Sequence, residues 1–425
     1  MVCDVDPPSG LRWLFLDLNS YFASVEQNED PGLRGRPVAV LPLASESTCV
    51  IAASYEAKAF GIKTGTPVWE ARRLCPGIIL LPGRHDLYVA YHHRILAEID
   101  RHIPITHVCS IDEVACRLDQ RMAAPDKAVA LARRIKAGLL QAIGPMVRAS
   151  IGLAPSMLLA KIATDMEKPD GLVTLAPAAL PGPLLGLALS DLPGIGERLA
   201  RRLRAAGVVS LADFWALTPK RARLAWGSVV GERFWYELHG HDLPRPDTAR
   251  RSVSHSQVLA PEVRPFSQAR LVGRRLTQKA ASRLRRLDLC AQTCALSLRT
   301  AGGGKWSGEA RFPASQSNFT FLAAFERLWR EAERRLGRVA LKQVGVWLGR
   351  LSPATHDEAG LLKLMQPQAS LLAARQRRLS QAMDQLNQRF GRDCVLLGMP
   401  ARQLAHYTGT KIAFTRIPDQ EEFRE

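Results

Sequence analysis

The hydrophobic period switches in a fixed order between residues 252 and 350, and few folds accept that order. Alternation over 252–258 reads as a strand and a 3.6-residue pattern over 267–287 as a helix. Residues 289–299 and 306–313 read as a hairpin across "TAGGGK", 318–337 as a second helix and 342–350 as a last strand. The resulting β-α-β-β-α-β order is that of a ferredoxin-like unit. Its first helix places Val272, Leu276, Ala280, Leu284 and Leu287 on one face, and Arg274, Arg275, Lys279, Arg283 and Arg286 on the other. Solvated faces usually mix charge signs and this one does not, which favours contact with a nucleic-acid backbone.

The same stretch carries most of the charge excess. Residues 250–350 hold 20 Lys and Arg against 6 Asp and Glu, a net +14 within the +18 of the whole chain. A localised excess of that size is the electrostatic footprint of a polyanion partner, and guanidinium groups suit phosphate geometry.

The remainder divides by pattern. Strand-like "RWLFLDL", "PVAVLPL", "CVIAAS" and "VCSIDEVACRLD" alternate with helical stretches at 86–103 and 126–143, so residues 11–175 form a mixed α and β region. Pro-rich "APAALPGPLL" at 176–185 marks a boundary, helical patterns fill 186–245, and polar "HGHDLPRPDTARR" leads into the basic unit. From about 352 the chain reads as a tail with a helical segment at 374–389 and a short region around Phe414 and Ile417. A length of 425 residues at 47% apolar content fits two to four domains. No apolar run approaches the roughly 18–20 residues of a membrane span, and "MVCDVDPPSG" lacks the basic and apolar parts of a leader. A cytoplasmic protein without membrane association is expected. The eight cysteines contain no CxxC pair, which favours buried thiols over a zinc site.

Acids stand where apolar strands end. In "FLDLNSYFASVEQ", residues 15–27, Asp17 closes a core strand, where an unpaired charge costs more than the ~2–7 kcal/mol of an unsatisfied neutral polar group unless a metal, a basic partner or a helix N-terminus neutralises it. In "CSIDEV", residues 109–114, Asp112 and Glu113 follow an apolar strand. Adjacent strand residues point to opposite faces, so both serve one centre only at a strand end or bend. Alone, "IDE" is a common surface tripeptide. With Asp17 it supplies three carboxylates that can converge on divalent cations, and hard Mg²⁺ prefers such oxygens together with substrate phosphates. Two ions ~3.5–4 Å apart are the arrangement of phosphoryl transfer. Cations for an anionic substrate are available from "SYEAKAFG" (Tyr55, Lys58) and "AKIATDMEKPDG" (Lys161, Lys168), although each lysine by itself is an ordinary surface residue.

In "LSDLPGIGERLARRLRAAGVVSLADF", Pro193-Gly194-Ile195-Gly196 interrupts two helical patterns. Glycines there expose backbone N–H groups at the start of a helix, a ready phosphate site. A packed helical corner accounts for the turn as well; Arg201, Arg202 and Arg204 just downstream favour DNA phosphate contact.

The motifs "DLNSYFASVEQ", "CVIAASYEAKAFGIKTGTP", "SIDE", "AKIATDMEKPDG" and "LPGIGERLARRL", in this order, resemble those of the Y-family, lesion-bypass DNA polymerases of bacterial type over roughly residues 11–350. The resemblance implies an α+β multidomain chain. A ferredoxin-like palm (11–22 and 84–175) would carry the acids, with fingers (23–83) inserted, a helix-hairpin-helix thumb (176–245), a ferredoxin-like little finger (250–351) gripping DNA, and a C-terminal tail (352–425). The β-α-β-β-α-β unit read above falls where the little finger belongs.

Residue by residue, the resemblance implies Asp17, Asp112 and Glu113 as catalytic carboxylates holding two Mg²⁺ ions, with the Leu18 carbonyl as a backbone ligand. Phe22 matches the aromatic that stacks under the incoming sugar and excludes a 2′-hydroxyl; Tyr55, Lys58 and Lys168 match the triphosphate contacts. Cys49 and Ile51 fall where the fingers roof the nascent base pair. DNA contacts are expected at Gly194 and Gly196 and along Arg274, Arg275, Lys279, Arg283 and Arg286. The chain departs from the pattern at Asn19, where many members carry a second acid, and at Lys58, where a bidentate Arg is usual. "GLAPSMLLAK" also lacks the small polar residues usual before its lysine, Lys161. In the tail, "QASLL" resembles the peptide by which bacterial polymerases dock on the sliding clamp, through Gln368, Leu371 and Leu372; a helix-leading segment accounts for it almost equally.

The implied activity is template-directed insertion of deoxynucleotides opposite damaged bases, by a monomer acting on primer-template DNA and deoxynucleotide triphosphates. The rivals are a catalytically inactive accessory subunit that binds DNA and the clamp, and a nucleotidyl cyclase. The first would be expected to lose the acids retained here, and the second needs neither the helix-hairpin-helix nor the +14 segment.

Overall fold

The computed structural model describes residues 10–42, 46, 48–245, 250–354, 367–391, 394–398 and 417. Its contacts divide the described residues into two units, one of residues up to 245 with 417 and one of residues 250–398.

In the first unit, β1 (Trp13–Leu18) leads into α1 (Tyr21–Glu29). A small sheet follows, made of β2 (Val38–Leu41), β3 (Ala52–Ala53) and β4 (Ile79–Pro82) in the order β3-β2-β4. With α2 (Tyr55–Lys58) and α3 (Val68–Leu74) it encloses its own core of Leu41, Val50, Ile62 and Val68. The chain then continues through α4 (His85–Asp100), β5 (His107–Val108), β6 (Glu113–Arg117), α5 (Pro125–Ala142), β7 (Ala149–Ala154), α6 (Met157–Met166) and β8 (Leu172–Thr174). The main sheet runs β5-β6-β1-β7-β8, which puts β1 at its centre, antiparallel to both β6 and β7.

Every residue of β1 is buried, and strand alternation sorts them onto two faces. Leu14, Leu16 and Leu18 pack with Ile95 and Ile99 of α4 and Leu131 and Ile135 of α5. Trp13 and Phe15 join Leu159, Ala160 and Ile162 of α6 in a second core. That second core continues into α7 (Glu197–Ala205), α8 (Leu211–Trp215), α9 (Pro219–Trp226) and α10 (Val229–Leu238) through Leu203, Phe214, Trp226 and Phe234. Asp17 is the next member of the odd-numbered series that faces α6. The helix lies close on β7 because Gly152 has no side chain: a Cβ there would stand 2.0 Å from the Ala160 carbonyl oxygen and 2.7 Å from the Ala163 Cβ.

What precedes α7 is shorter than the sequence pattern indicates, a three-residue 3-10 turn at Leu189–Asp191 and not a full helix. Gly194 takes φ +88°, which a residue with a side chain resists, Ile195 is buried, and Gly196 caps α7.

The second unit has the expected element order: β9 (Ser252–Val258), α11 (Phe266–Arg286), β10 (Leu289–Thr300), β11 (Lys305–Ser315), α12 (Asn318–Leu336) and β12 (Leu341–Gly349). The sheet is antiparallel in the order β11-β10-β12-β9, so β12 lies between the two strands that α11 connects. A short β13 (Ser352–Pro353) pairs with the start of β10. Leu276, Ala280 and Leu284 of α11 are buried against Leu296, Phe325, Trp329 and Val344, while Leu287, just past the helix, is exposed.

The last helix, α13 (Pro367–Phe390), begins earlier than the 374–389 pattern indicates and packs on the unit. Asp384 accepts two hydrogen bonds from Arg285, at 2.5 and 2.8 Å, and that arginine is 6% exposed. Ser380 accepts one from the Asn318 backbone N–H at 3.0 Å. Among the described residues no helix is long and apolar enough to cross a membrane. Cys75, Cys116, Cys290 and Cys294 are buried free thiols, whereas Cys49 and Cys394 are exposed ones.

Candidate active site

Asp17 lies directly across from Glu113 in the β1–β6 register, with Ser150 of β7 on its other side. "VCSIDEVACRLD" is not one strand: β5 ends at Val108 and β6 starts at Glu113. The intervening bend meets the condition that two adjacent acids impose, with Asp112 in the bend and Glu113 on the strand. The Asp112 carbonyl accepts from the Leu18 N–H at 2.8 Å, and its carboxylate accepts from the Ser110 hydroxyl. Burial raises the Asp112 carboxyl above its ordinary range; Ser110 opposes this, and the neighbouring charges of Asp17 and Glu113 add to it.

Helix α6 brings the cations. Ser156 caps it, its hydroxyl accepting from the Leu159 N–H at 3.2 Å. Lys161 Nζ pairs with Asp17, with Glu113 at 3.0 Å and with Asp165 at 3.4 Å. Lys168 reaches Asp17 at 3.0 Å and Asp165 at 2.6 Å. Burial works against the charge on Lys161, yet Asp17, Glu113 and Asp165 together hold it above the usual lysine range. Asp165 is a site residue that sequence reasoning missed. The available signal was its spacing, four residues after Lys161 and three before Lys168, which gathers all three on one side.

Tyr55 and Lys58, from α2, come to the same place. Lys58 Nζ lies 4.4 Å from the centre of the Tyr55 ring. Burial and the charge of Asp17 push the Tyr55 hydroxyl up to about 12. Burial and repulsion from Lys168 lower Lys58, against the pull of Asp17. Phe22 stacks on Tyr88 with ring centres 4.4 Å apart and planes 17° apart. Tyr21 is buried and donates to the Tyr88 carbonyl at 2.7 Å, so it packs. Cys49 is exposed and Ile51 half-buried.

Asn19 holds the site's frame. Its amide donates to Ser150 Oγ at 3.0 Å, its Oδ1 accepts from the Asp170 N–H at 2.7 Å, and its carbonyl accepts from Ser24 Oγ at 2.6 Å. Ser20 turns the chain from β1 into α1 in the left-handed region, φ +49°, uncommon for a residue other than glycine.

As the side chains lie, no group of three or more His, Cys, Asp or Glu among the described residues is gathered closely enough to hold a metal ion. Asp17 is turned onto two lysines and Asp112 onto Ser110. The donor chemistry nevertheless fits a hard divalent cation: the ligand atoms are oxygens on neighbouring strand ends, and Asp17 and Glu113 already share one cationic group.

The expected DNA-contacting positions separate. Gly194 and Gly196 have nothing within 4 Å of where a Cβ would sit, so the outer side of their turn is open. On α11, Arg274 is not on an open face: it pairs with Glu326 of α12, donates to the Leu397 carbonyl at 3.2 Å and is 18% exposed. Arg275, Lys279 and Arg283 are half-buried and have partners, and Arg286 is exposed. Residues 368–372 lie in the first turns of α13, with Leu371 and Leu372 exposed.

Residues 16–165 match the family model described as impB/mucB/samB, and residues 250–361 match the C-terminal domain of that family. The DNA polymerase IV of Moorella thermoacetica is 35% identical over 390 residues, 89% of this chain and 93% of the relative. The chain belongs to this family, the bacterial Y-family DNA polymerases. The DNA polymerase IV of Alkalilimnicola ehrlichii is 31% identical and covers 83% of this chain and 98% of its own. Among solved structures, a Y-family DNA polymerase chimera of Dbh and Dpo4 matches with a TM-score of 0.69 at 25% identity, over 80% of this chain and 99% of that one. The insertion ternary complex of Dbh DNA polymerase matches over the same shares at the same identity, with a TM-score of 0.53. The protein is a DNA-directed DNA polymerase of the translesion class, a metal-dependent nucleotidyltransferase. Nothing in these relatives supports the inactive accessory subunit.

Proposed function

We propose that this polymerase extends a primer across damaged template bases from deoxynucleotide triphosphates, with Asp17, Asp112, Glu113 and the Leu18 carbonyl holding two Mg²⁺ ions. The observation that carries the reading is the cross-strand pair Asp17–Glu113, with Asp112 in the adjoining bend and two lysines drawn onto the carboxylates. When bound, the ions supply Lewis-acid stabilisation of the charge that develops on the phosphate and on the attacking and leaving oxygens. The acids act as holders and not as general bases. Tyr55, Lys58 and Lys168 sense the same carboxylate, Asp17, or contact it, and are the groups that take the triphosphate. Phe22, braced on Tyr88, contacts the sugar and excludes a 2′-hydroxyl.

In this reading residues 11–22 and 84–175 are the palm, 23–83 the fingers, 176–245 the thumb, 250–351 the little finger and 352–425 the tail. The separate small sheet with its own core supports the fingers, and the antiparallel sheet of the second unit supports the little finger. Primer-template DNA is gripped by the open Gly194–Gly196 turn and by Arg275, Lys279, Arg283 and Arg286. Arg274, taken up by Glu326, is left out of that set. The exposed Leu371 and Leu372, with Gln368 before them, are proposed to meet the sliding clamp. The polymerase works as a monomer in the cytoplasm.

Primer extension with purified protein, Mg²⁺ and four nucleotides tests the assignment. Asp112→Ala is expected to abolish extension and to keep primer-template affinity, because binding rests on the basic surface. Extension equal to the parent's rules the assignment out. The same assay past a panel of lesions, with and without a clamp, tests the bypass and clamp readings.

A further inference from the structure

Asp17, Asp112, Glu113 and Asp165 stand at one end of the main sheet, and a single half-buried ammonium contacts three of them. Asp17 comes from β1, Glu113 from β6 and Asp165 from α6, and Lys161 Nζ contacts all three while the side chain is 18% exposed. Asp17 is buried, Glu113 half-buried and Asp165 exposed, and like charges this close repel unless a cation sits among them. The lysine is built to stay there. It rises from a helix set close on β7 at Gly152, and its Nζ lies 5.6 Å from the centre of the Phe15 ring.

The two lysines are not equivalent. Lys168 lies beyond the end of α6 and touches Asp17 and Asp165, while Lys161 is the one that also reaches Glu113. Lys168 can therefore turn to a substrate without uncovering Glu113. Departure of Lys161 leaves Glu113 with neither lysine.

We infer that Lys161 is a tethered counter-cation: it occupies the Asp17 and Glu113 oxygens that a divalent ion takes, and metal loading is an exchange in which Lys161 withdraws onto Asp165. This rests on the reading of Asp17, Asp112 and Glu113 as metal holders. Asp165, four residues along α6 and at 3.4 Å, is the loosest of the three contacts and stands on the lysine's own helix, so the ammonium keeps a partner when it yields the others. The device keeps the acids in register without an ion and sets a threshold for loading one. Lys161 and Asp165 are positioning residues here and touch no reacting atom.

The test uses the full chain without DNA or nucleotide. Free Mn²⁺ is read by electron paramagnetic resonance, and thermal unfolding is followed in EDTA and in Mn²⁺. Lys161→Met is expected to unfold at a lower temperature in EDTA and to bind Mn²⁺ about tenfold more tightly, because a competing charge within Coulomb range is gone. Lys161→Arg keeps the charge and is expected to bind Mn²⁺ within a few-fold of the parent. Binding by Lys161→Met no tighter than the parent overturns the inference and leaves a structural ion pair. Equal Mn²⁺ binding by the parent and Asp17→Ala instead overturns the metal-holder reading itself. A second measurement needs no variant: the parent is labelled with an amine-reactive reagent and Lys161 is followed by mass spectrometry. Mg²⁺ is expected to raise labelling of Lys161 several-fold over EDTA, and unchanged labelling overturns the exchange.

Discussion

Asn19 Oδ1 accepts a hydrogen bond from the Asp170 backbone N–H at 2.7 Å, joining the end of β1 to the loop that carries Lys168. The same side chain donates to Ser150 Oγ at 3.0 Å and is 3% exposed. Asn19→Ala removes one partner from the buried Ser150 hydroxyl and the partner of the part-buried Asp170 N–H, a loss of about 1–3 kcal/mol. Since Lys168 sits two residues before Asp170, KM for the nucleotide is expected to rise several-fold with kcat changed little. Steady-state kinetics and thermal unfolding of the variant read the two effects separately.

Phe22 stacks on Tyr88 and is tilted against Tyr21 with ring centres 5.7 Å apart. Phe22→Ala is expected to admit ribonucleotides, seen as a fall in the ratio of kcat/KM for deoxy- over ribonucleotide. Loss of the aromatic pair also costs about 0.5–1.5 kcal/mol of stability. Unchanged discrimination removes the gate role.

On α11, Arg274 is committed to Glu326, and Arg275, Lys279, Arg283 and Arg286 are the proposed phosphate contacts. Replacing Arg275, Lys279, Arg283 and Arg286 together with Ala is expected to flatten the dependence of DNA affinity on salt, by roughly 0.9 in log–log slope for each phosphate that the protein ceases to neutralise. Arg274→Ala is expected to leave that slope alone and to lower stability by about 1–3 kcal/mol, since Glu326 keeps only Arg270, at 2.5 Å, of the two pairs seen. Binding measured across a salt series, beside thermal unfolding, separates the two.

The contrast between these arginines marks where the sequence was legible. The apolar run placed Asp17 at the end of a core strand, and the switching period placed six elements of the second unit in order, because burial writes both patterns directly into residue type. A helix face carries the same information only while one side alone is covered. Helix α11 is covered twice, by the sheet and again by α12 and α13, so Arg274 turns inward although it reads as part of a uniformly basic face, and Arg285, outside that face, is taken up by α13. The seating of α13 left little apolar signal because much of it is polar, through Asp384 and Ser380. Asp165 was hidden for the same reason: its role comes from two lysines, and nothing in its immediate neighbours announces a site.

His92 makes the stability of the first unit depend on pH. Its ring is 2% exposed, Nδ1 lies 2.8 Å from the Ile111 carbonyl and so carries the proton, and the facing titratable group is His93. Burial pushes His92 down to about 4, with the carbonyl opposing and His93 adding to the effect. A depressed histidine binds its proton in the unfolded chain, near 6.5, before it does so in the folded one. Between about pH 6.5 and 4 the unfolded state therefore holds more protons, and stability rises with pH across that window. The contribution is complete above the unfolded value and is lost as pH falls through the window, by about 3 kcal/mol at most. Asp112 runs the other way, because burial raises its carboxyl and the folded chain takes up that proton first. The difference between parent and His92→Asn isolates the histidine: asparagine keeps a donor for Ile111 and cannot titrate. The unfolding midpoint of the variant is expected to fall less than the parent's between pH 7 and pH 5. Parallel curves would show that His92 carries none of the acid sensitivity.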